Sequence, residues 1–101
     1  MEALRFEWDE AKNLSNRRKH GVSFEQACAV FFDPRYVSVQ DRVMDGEPRW
    51  LTFGLVEDLI LLAVAHTIRE DDPDEACEVI RLISARQATR RERRRYEIEN
   101  S

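Results

Sequence analysis

Arginine is the residue type through which this chain is equipped to do chemistry. Fourteen of its sixteen basic residues are Arg and only two are Lys. A planar guanidinium is the group that grips phosphate and carboxylate bidentately. GC-rich codons would produce the same bias, so placement has to decide what it means. Residues 81–95 hold Arg81, Arg86, Arg90, Arg91, Arg93, Arg94 and Arg95 against Glu92 alone, a local charge of +6. The whole chain carries net −4 with a pI near 5.2, so the remaining residues sum to −10. That split marks a nucleic-acid footprint or a docking surface for an acidic partner. The alternative is a solvated helix face that pairs with Glu70–Glu75 or Glu97. A second basic knot, Arg17-Arg18-Lys19-His20, suits the last turn of a helix, where cations complement the helix dipole.

Two further residues stand out against apolar surroundings. Arg81 lies between Val79 and Ile83, where an unpaired charge is costly. Either its stem covers the sheet while the guanidinium reaches water or a carboxylate, or it clamps phosphate on a concave sheet face. His66 ends an apolar run and can act as a general acid or base near neutral pH, or as a hydrogen-bonded core residue. If Arg69 pairs with Cys77, Ala65 faces Arg81 and Leu62 faces Ser84, with Ser84 and Arg86 on the face opposite Arg81. An even sum of paired residue numbers sends His66 and Arg81 to opposite faces, and an odd one brings them together.

Other chemistries find little support. Cys28 and Cys77 are isolated, and His20 and His66 lie far apart, so neither a disulfide framework nor a metal site is expected. The acidic run Glu70, Asp71, Asp72, Asp74, Glu75, Glu78 lacks the Gly and ligand spacing of a calcium loop. Gly-rich phosphate loops and the common hydrolase motifs are absent. The longest apolar run, Leu59 to Ala65, is seven residues, far below the ~20 that span a bilayer. With no apolar signal-peptide core near Met1, a reduced, cytoplasmic protein is expected, without cofactor or membrane.

One hundred and one residues make one domain, 1–101, without repeats or low-complexity tracts. Leu4, Phe6 and Trp8 alternate against Arg5 and Glu7, which predicts a half-buried strand. Asp9 caps a helix that Gly21 stops. Ser23 and Gln26 form a capping box with Val22 and Ala27 as staple, and Phe24, Ala27, Cys28 and Phe31 give a second helix one apolar face up to Asp33-Pro34. Tyr36–Asp41 and Arg49–Val56 alternate as strands around Asp45-Gly46, Leu59–Arg69 reads as a central strand, and Cys77–Arg86 is the last. Thr89 and Glu92 box the start of a final helix to about Glu97. The order β-α-α-β-β-β-β-α predicts an α+β fold with helices against one curved, mostly antiparallel sheet.

Phe6-Glu7-Trp8-Asp9-Glu10-Ala11-Lys12-Asn13, Lys19-His20-Gly21-Val22-Ser23-Phe24-Glu25 and Phe31-Phe32-Asp33-Pro34 occur in sequence. Ile83-Ser84-Ala85-Arg86-Gln87-Ala88-Thr89, Arg91-Glu92-Arg93 and Tyr96-Glu97 follow. In these blocks the chain resembles the BrnT family of bacterial toxins over nearly its whole length. The resemblance implies a RelE-like fold and a ribonuclease toxin of a type II toxin–antitoxin pair. It also implies a BrnA-like, DNA-binding antitoxin through which alone the complex reaches operator DNA. Metal-independent cleavage of RNA needs a base for the 2′-OH, cations on the phosphorane and an acid for the leaving oxygen. Arg81 and Arg86, with Arg69 as a third, are the expected phosphate clamps. His66 is the expected acid/base, with His20 or Tyr96 as substitutes. Arg17, Arg18, Lys19, Arg90, Arg91 and Arg94 are the expected contacts to RNA or antitoxin. The competing reading is a non-catalytic or degenerate toxin that serves as an antitoxin-binding co-repressor.

Overall fold

Residues 3–72 and 77–101 are described by the structure, a computed structural model. The alternating N-terminus forms β1 (Ala3–Glu7). Asp9 Oδ1 then accepts from Ala11 N at 2.9 Å and opens α1 (Glu10–His20); Gly21, left-handed at φ 72°, closes it by donating to Arg17 O at 2.9 Å. Only Gly takes that backbone without steric cost. The Ser23/Gln26 capping box is present and starts α2 (Phe24–Ala27).

The second helix departs from expectation after one turn, tightening to 3-10 geometry over Cys28–Phe32 before Asp33. The tighter turn seats Val30 directly on Gly54: a Cβ at position 54 would lie 2.8 Å from both Val30 Cγ1 and Val30 O. No residue but Gly allows that approach.

Strands β2 (Val37–Met44) and β3 (Glu47–Leu55) are joined by Asp45-Gly46, with φ of 54° and 78°. Two positive φ values define the type I′ turn, whose twist matches its flanking strands. Strands β4 (Leu61–Asp72) and β5 (Cys77–Gln87) follow, and α3 (Arg90–Glu99) ends the chain behind its Thr89/Glu92 box. The sheet order is β1-β5-β4-β3-β2, antiparallel except where β1 runs parallel to β5.

Adjacent residues of β4 serve opposite faces. Leu62 and Val64 pack with Val22, Phe24, Ala27, Leu82 and Ala85 beneath α1 and α2. Leu61 and Ala63 pack with Val37, Phe53 and Tyr96 beneath α3. The expected doubly covered central strand is therefore present from Leu61 to Val64, all buried.

The expected β4–β5 register is overturned. Arg69 pairs with Val79 rather than Cys77, Ala65 with Ser84 rather than Arg81, and Leu62 with Gln87 rather than Ser84. Strand β4 continues through Glu70 to Asp72, beyond Arg69 where it was expected to end; residues 73–76 lie outside the described ones. A bulge also intervenes, because Ala65 pairs with Ser84 while His66 pairs with Leu82, leaving Ile83 as the extra residue.

Beyond Arg81, β5 runs past the end of β1, whose ladder stops at Glu7↔Arg81. Asn16 of α1 takes over there: its Nδ2 donates to Ala85 O at 2.7 Å and its Oδ1 accepts from Ala85 N at 3.1 Å. Nδ2 also donates to Val22 O at 2.9 Å. Asn13 likewise accepts from Phe24 N at 2.8 Å, so α1 is held by two buried amides rather than by an apolar stripe. Asn16→Ala would strand the buried polar groups of Ala85, at about 2–4 kcal/mol. Urea unfolding should show that loss; one below about 0.5 kcal/mol would refute the role given to Asn16.

Candidate nucleic-acid interface

The Ile83 bulge decides which arginines share a face. Thr67 pairs with Arg81 and Ala63 with Arg86. Residues 63 and 67 lie on one side of an unbulged stretch of β4, so Arg81 and Arg86 are on the same face. The expectation that Ser84 and Arg86 turn away from Arg81 is thus corrected. Arg69 belongs to the same face, diagonal to Arg81 through the Arg69↔Val79 pair. Val79 and Thr67 are buried among them.

Arg69 and Arg81 converge on one carboxylate. Arg69 Nη2 donates to Glu7 Oε1 and Arg81 Nη1 to Glu7 Oε2, each at 2.8 Å. The Arg69 hydrogen bond, then the Arg81 one, holds the Glu7 carboxyl down to about 2, well below the usual carboxylate range. The cluster is nonetheless at the surface, with both arginine side chains 45% and Glu7 34% exposed. Ion pairs that wet contribute only about 0.2–1 kcal/mol each. Glu7 was expected only as the outward member of an alternating strand. Its role follows from the parallel β1–β5 ladder, a non-local pairing.

Arg86 is held differently. Its Nη1 and Nη2 donate to Glu92 Oε1 and Oε2 at 2.7 and 3.0 Å, a fork in which Glu92 is largely buried. The same Glu92 accepts from Thr89 N at 2.9 Å, so the helix cap and the Arg86 anchor are one carboxylate. The Arg86 fork keeps Glu92 below its ordinary range against the opposing effect of burial. Arg90, Arg91, Arg93 and Arg94 line the exposed side of α3, and Arg95 pairs with Glu99 at 3.5 Å.

Three groups expected to move protons lie elsewhere. His66 pairs with Leu82, an even sum, and so points away from Arg81 into the core beneath the helices. Its Nε2 lies 2.7 Å from Thr52 Oγ1, which lies 2.6 Å from Ser38 Oγ, and its Nδ1 lies 3.3 Å from Thr67 O. A carbonyl only accepts, so Nδ1 carries the proton and Nε2 accepts from Thr52. Phe31 meets the ring edge-on at 4.8 Å. Burial pushes His66 down to about 4, so it is neutral at pH 7. A small cavity of about 120 Å³ reaches it between Tyr36, Ser38 and Ile68.

Tyr96 Oη donates to Asp33 Oδ2 at 2.7 Å, and burial followed by that carboxylate raises its hydroxyl to about 12. Burial alone would raise Asp33, but donors from Tyr96, Leu55 N and Arg35 N outweigh it and hold it low. Asp33, expected only to end a helix, therefore fastens α3 to the β2–β3 side of the sheet. His20 lines a cavity of about 390 Å³ with Gly21, Glu25, Val56, Ile60 and Gln87, on the helix-covered side. Arg17, Arg18 and Lys19 are exposed on α1 beside it.

Among the described residues, no helix is long and apolar enough to cross a membrane. No three His, Cys, Asp or Glu side chains gather there as a metal site either.

Fold and site together define a small α+β protein that presents guanidinium groups on one sheet face. The profile of the family described as "Ribonuclease toxin, BrnT, of type II toxin-antitoxin system" matches residues 8–92. The chain belongs to the BrnT family, the ribonuclease toxins of type II toxin–antitoxin systems. Its fold is that of the Brucella abortus ribonuclease toxin BrnT, whose crystal structure aligns with a TM-score of 0.57 at 23% identity, covering 89% of this chain and 99% of that one. No curated protein matches the chain.

The His66 shift fixes a pH window. Its folded value of about 4 lies below its ordinary 6.5, so the stability it supports is complete above pH 6.5 and falls as pH drops toward 4. The loss is on the order of 3 kcal/mol over that window. The lowered carboxylates Glu7, Glu92 and Glu25 act only below about 4.5. Urea midpoints from pH 7 to 4.5 should therefore fall in the native chain and stay much flatter in His66→Gln. Equal slopes would contradict the burial of a neutral imidazole.

Proposed function

We propose that this chain is an endoribonuclease whose phosphate site is the sheet face around Arg69 and Arg81. The observation that carries this reading is their convergence on one surface anion, Glu7, at 2.8 Å from each. Two guanidinium groups already arranged around a carboxylate are arranged for a phosphate oxygen as well. In the cleavage step a water molecule takes the proton of the 2′-oxygen, which bonds to phosphorus. The bond to the 5′-oxygen breaks, and that oxygen takes a proton from water. Negative charge grows on the non-bridging oxygens, and Arg69 and Arg81 stabilise it there. Arg86 stands about 13 Å along the sheet, four strand residues away, and meets a neighbouring phosphate.

Charge stabilisation by arginine carries the catalysis, without a metal ion. His66 and His20 lie on the far side of the sheet, and the Tyr96 hydroxyl is committed to Asp33, so in this reading none of the three touches the substrate. The exposed stripe Arg90, Arg91 and Arg94 takes an acidic segment of a BrnA-like antitoxin. Arg17, Arg18 and Lys19 widen the positive field on the α1 side. The toxin acts in the cytoplasm, and RNA loss arrests growth until the antitoxin covers it.

Expression in a bacterium, alone and with the neighbouring small gene, tests this through growth and RNA integrity. The native chain should arrest growth and the partner should relieve it. Purified Arg81→Ala should cleave RNA roughly a hundredfold or more slower. His66→Gln should stay within a few-fold of the native rate at pH 7, and EDTA should leave cleavage unchanged. A well-folded native chain without RNA cleavage would favour the co-repressor reading instead.

A further inference from the structure

Arg69 and Arg81 are not waiting empty-handed: a carboxylate from the chain itself stands where the proposed reading puts a phosphate. Glu7 is the last residue of β1, fixed by the ladder opposite Arg81, and each of its two oxygens receives one guanidinium N–H. The resulting triad sits on an exposed sheet face, so an incoming anion reaches it without unfolding anything. Exposed pairs of this kind are weakly held. Carboxylate and phosphodiester both offer two oxygens to guanidinium forks, so they compete for the same donors.

We propose that Glu7 is an internal competitor for the phosphate site, a built-in autoinhibitory contact that an RNA phosphodiester must displace from Arg69 and Arg81. The proposal rests on the phosphate-site reading above and adds its regulation. RNA exchanges one anion for another at the two arginines. The native chain therefore gains less affinity from them, and releases fewer counterions, than two unoccupied guanidinium groups would allow. In an acidic protein of net −4, the carboxylate thereby makes any anion compete for the two arginines.

Binding of a 2′-O-methyl oligonucleotide, which cannot be cleaved, tests this across a series of salt concentrations. Glu7→Gln keeps the shape and removes the charge. It should bind roughly tenfold more tightly than the native chain at low salt, with a log–log salt slope steeper by about 0.7. In the native chain, the guanidinium NMR signals of Arg69 and Arg81 should shift as the oligonucleotide is added. Glu7→Ala carries the same binding test should Gln disturb β1. Equal or weaker binding by folded Glu7→Gln and Glu7→Ala, while Arg81→Ala weakens binding, would overturn the competitor alone. Unchanged binding by Arg81→Ala would remove the phosphate site and the competitor with it.

Discussion

The single extra residue in β5 is the constraint on which the site depends. Without the bulge at Ile83, strand alternation would send Arg86 to the helix-covered side and Arg81 to the other. With it, residues 79–81 and 84–86 each present an outward member on the same face, while Leu82 and Ala85 both remain buried in the core. Asn16 holds the strand beside this irregularity by pairing both polar groups of Ala85 where β1 has ended. An edge left unpaired there would have two buried backbone groups without partners, a cost comparable to a sizeable part of a small domain's stability. The guanidinium face is therefore built on a backbone fixed from the opposite side of the sheet.

Charge in this protein is organised by local pairing, and the net value hides it. The largely buried Glu92 serves both the α3 cap and the Arg86 fork, so one carboxylate sets the start of the helix and the position of an arginine. Glu7 serves two arginines on a wet surface. The two carboxylates differ in consequence: removing the first disturbs the fold, whereas removing the second changes chiefly the field that an anion meets. Asp33 is a third such point, joining α3 to β3 through Tyr96 Oη and Leu55 N. The outer side of α3 keeps its arginines exposed because its inward positions, Glu92 and Tyr96, do the anchoring.

Much of the fold was legible in the sequence because it is written in local chemistry. Both capping boxes, the Asp9 cap, the Gly21 stop and the Asp45-Gly46 turn depend on residues a few positions apart, and all are present. What could not be read were pairings across long stretches of chain. The β4–β5 register missed by two to three residues because Glu70–Asp72 extended the strand and Ile83 bulged. Arg81 was singled out for a charge amid apolar neighbours, yet its partner Glu7 lies seventy-four residues earlier and meets it only through the parallel ladder. Asn13 and Asn16 carry no local signal of burial, which follows instead from the docking of α1 onto α2 and β5. His66 carried two readings from the outset, and its environment is that of the hydrogen-bonded core residue.

In the proposed reaction, substrate phosphate occupies the Arg69–Arg81 face. A crystal structure of the protein with a 2′-O-methyl RNA oligonucleotide tests it most directly. The expected result is a phosphodiester within hydrogen-bond distance of both guanidinium groups, with Glu7 moved off them and a neighbouring phosphate near Arg86. RNA bound along α1 or α3, with Arg69 and Arg81 still clasping Glu7, would contradict it.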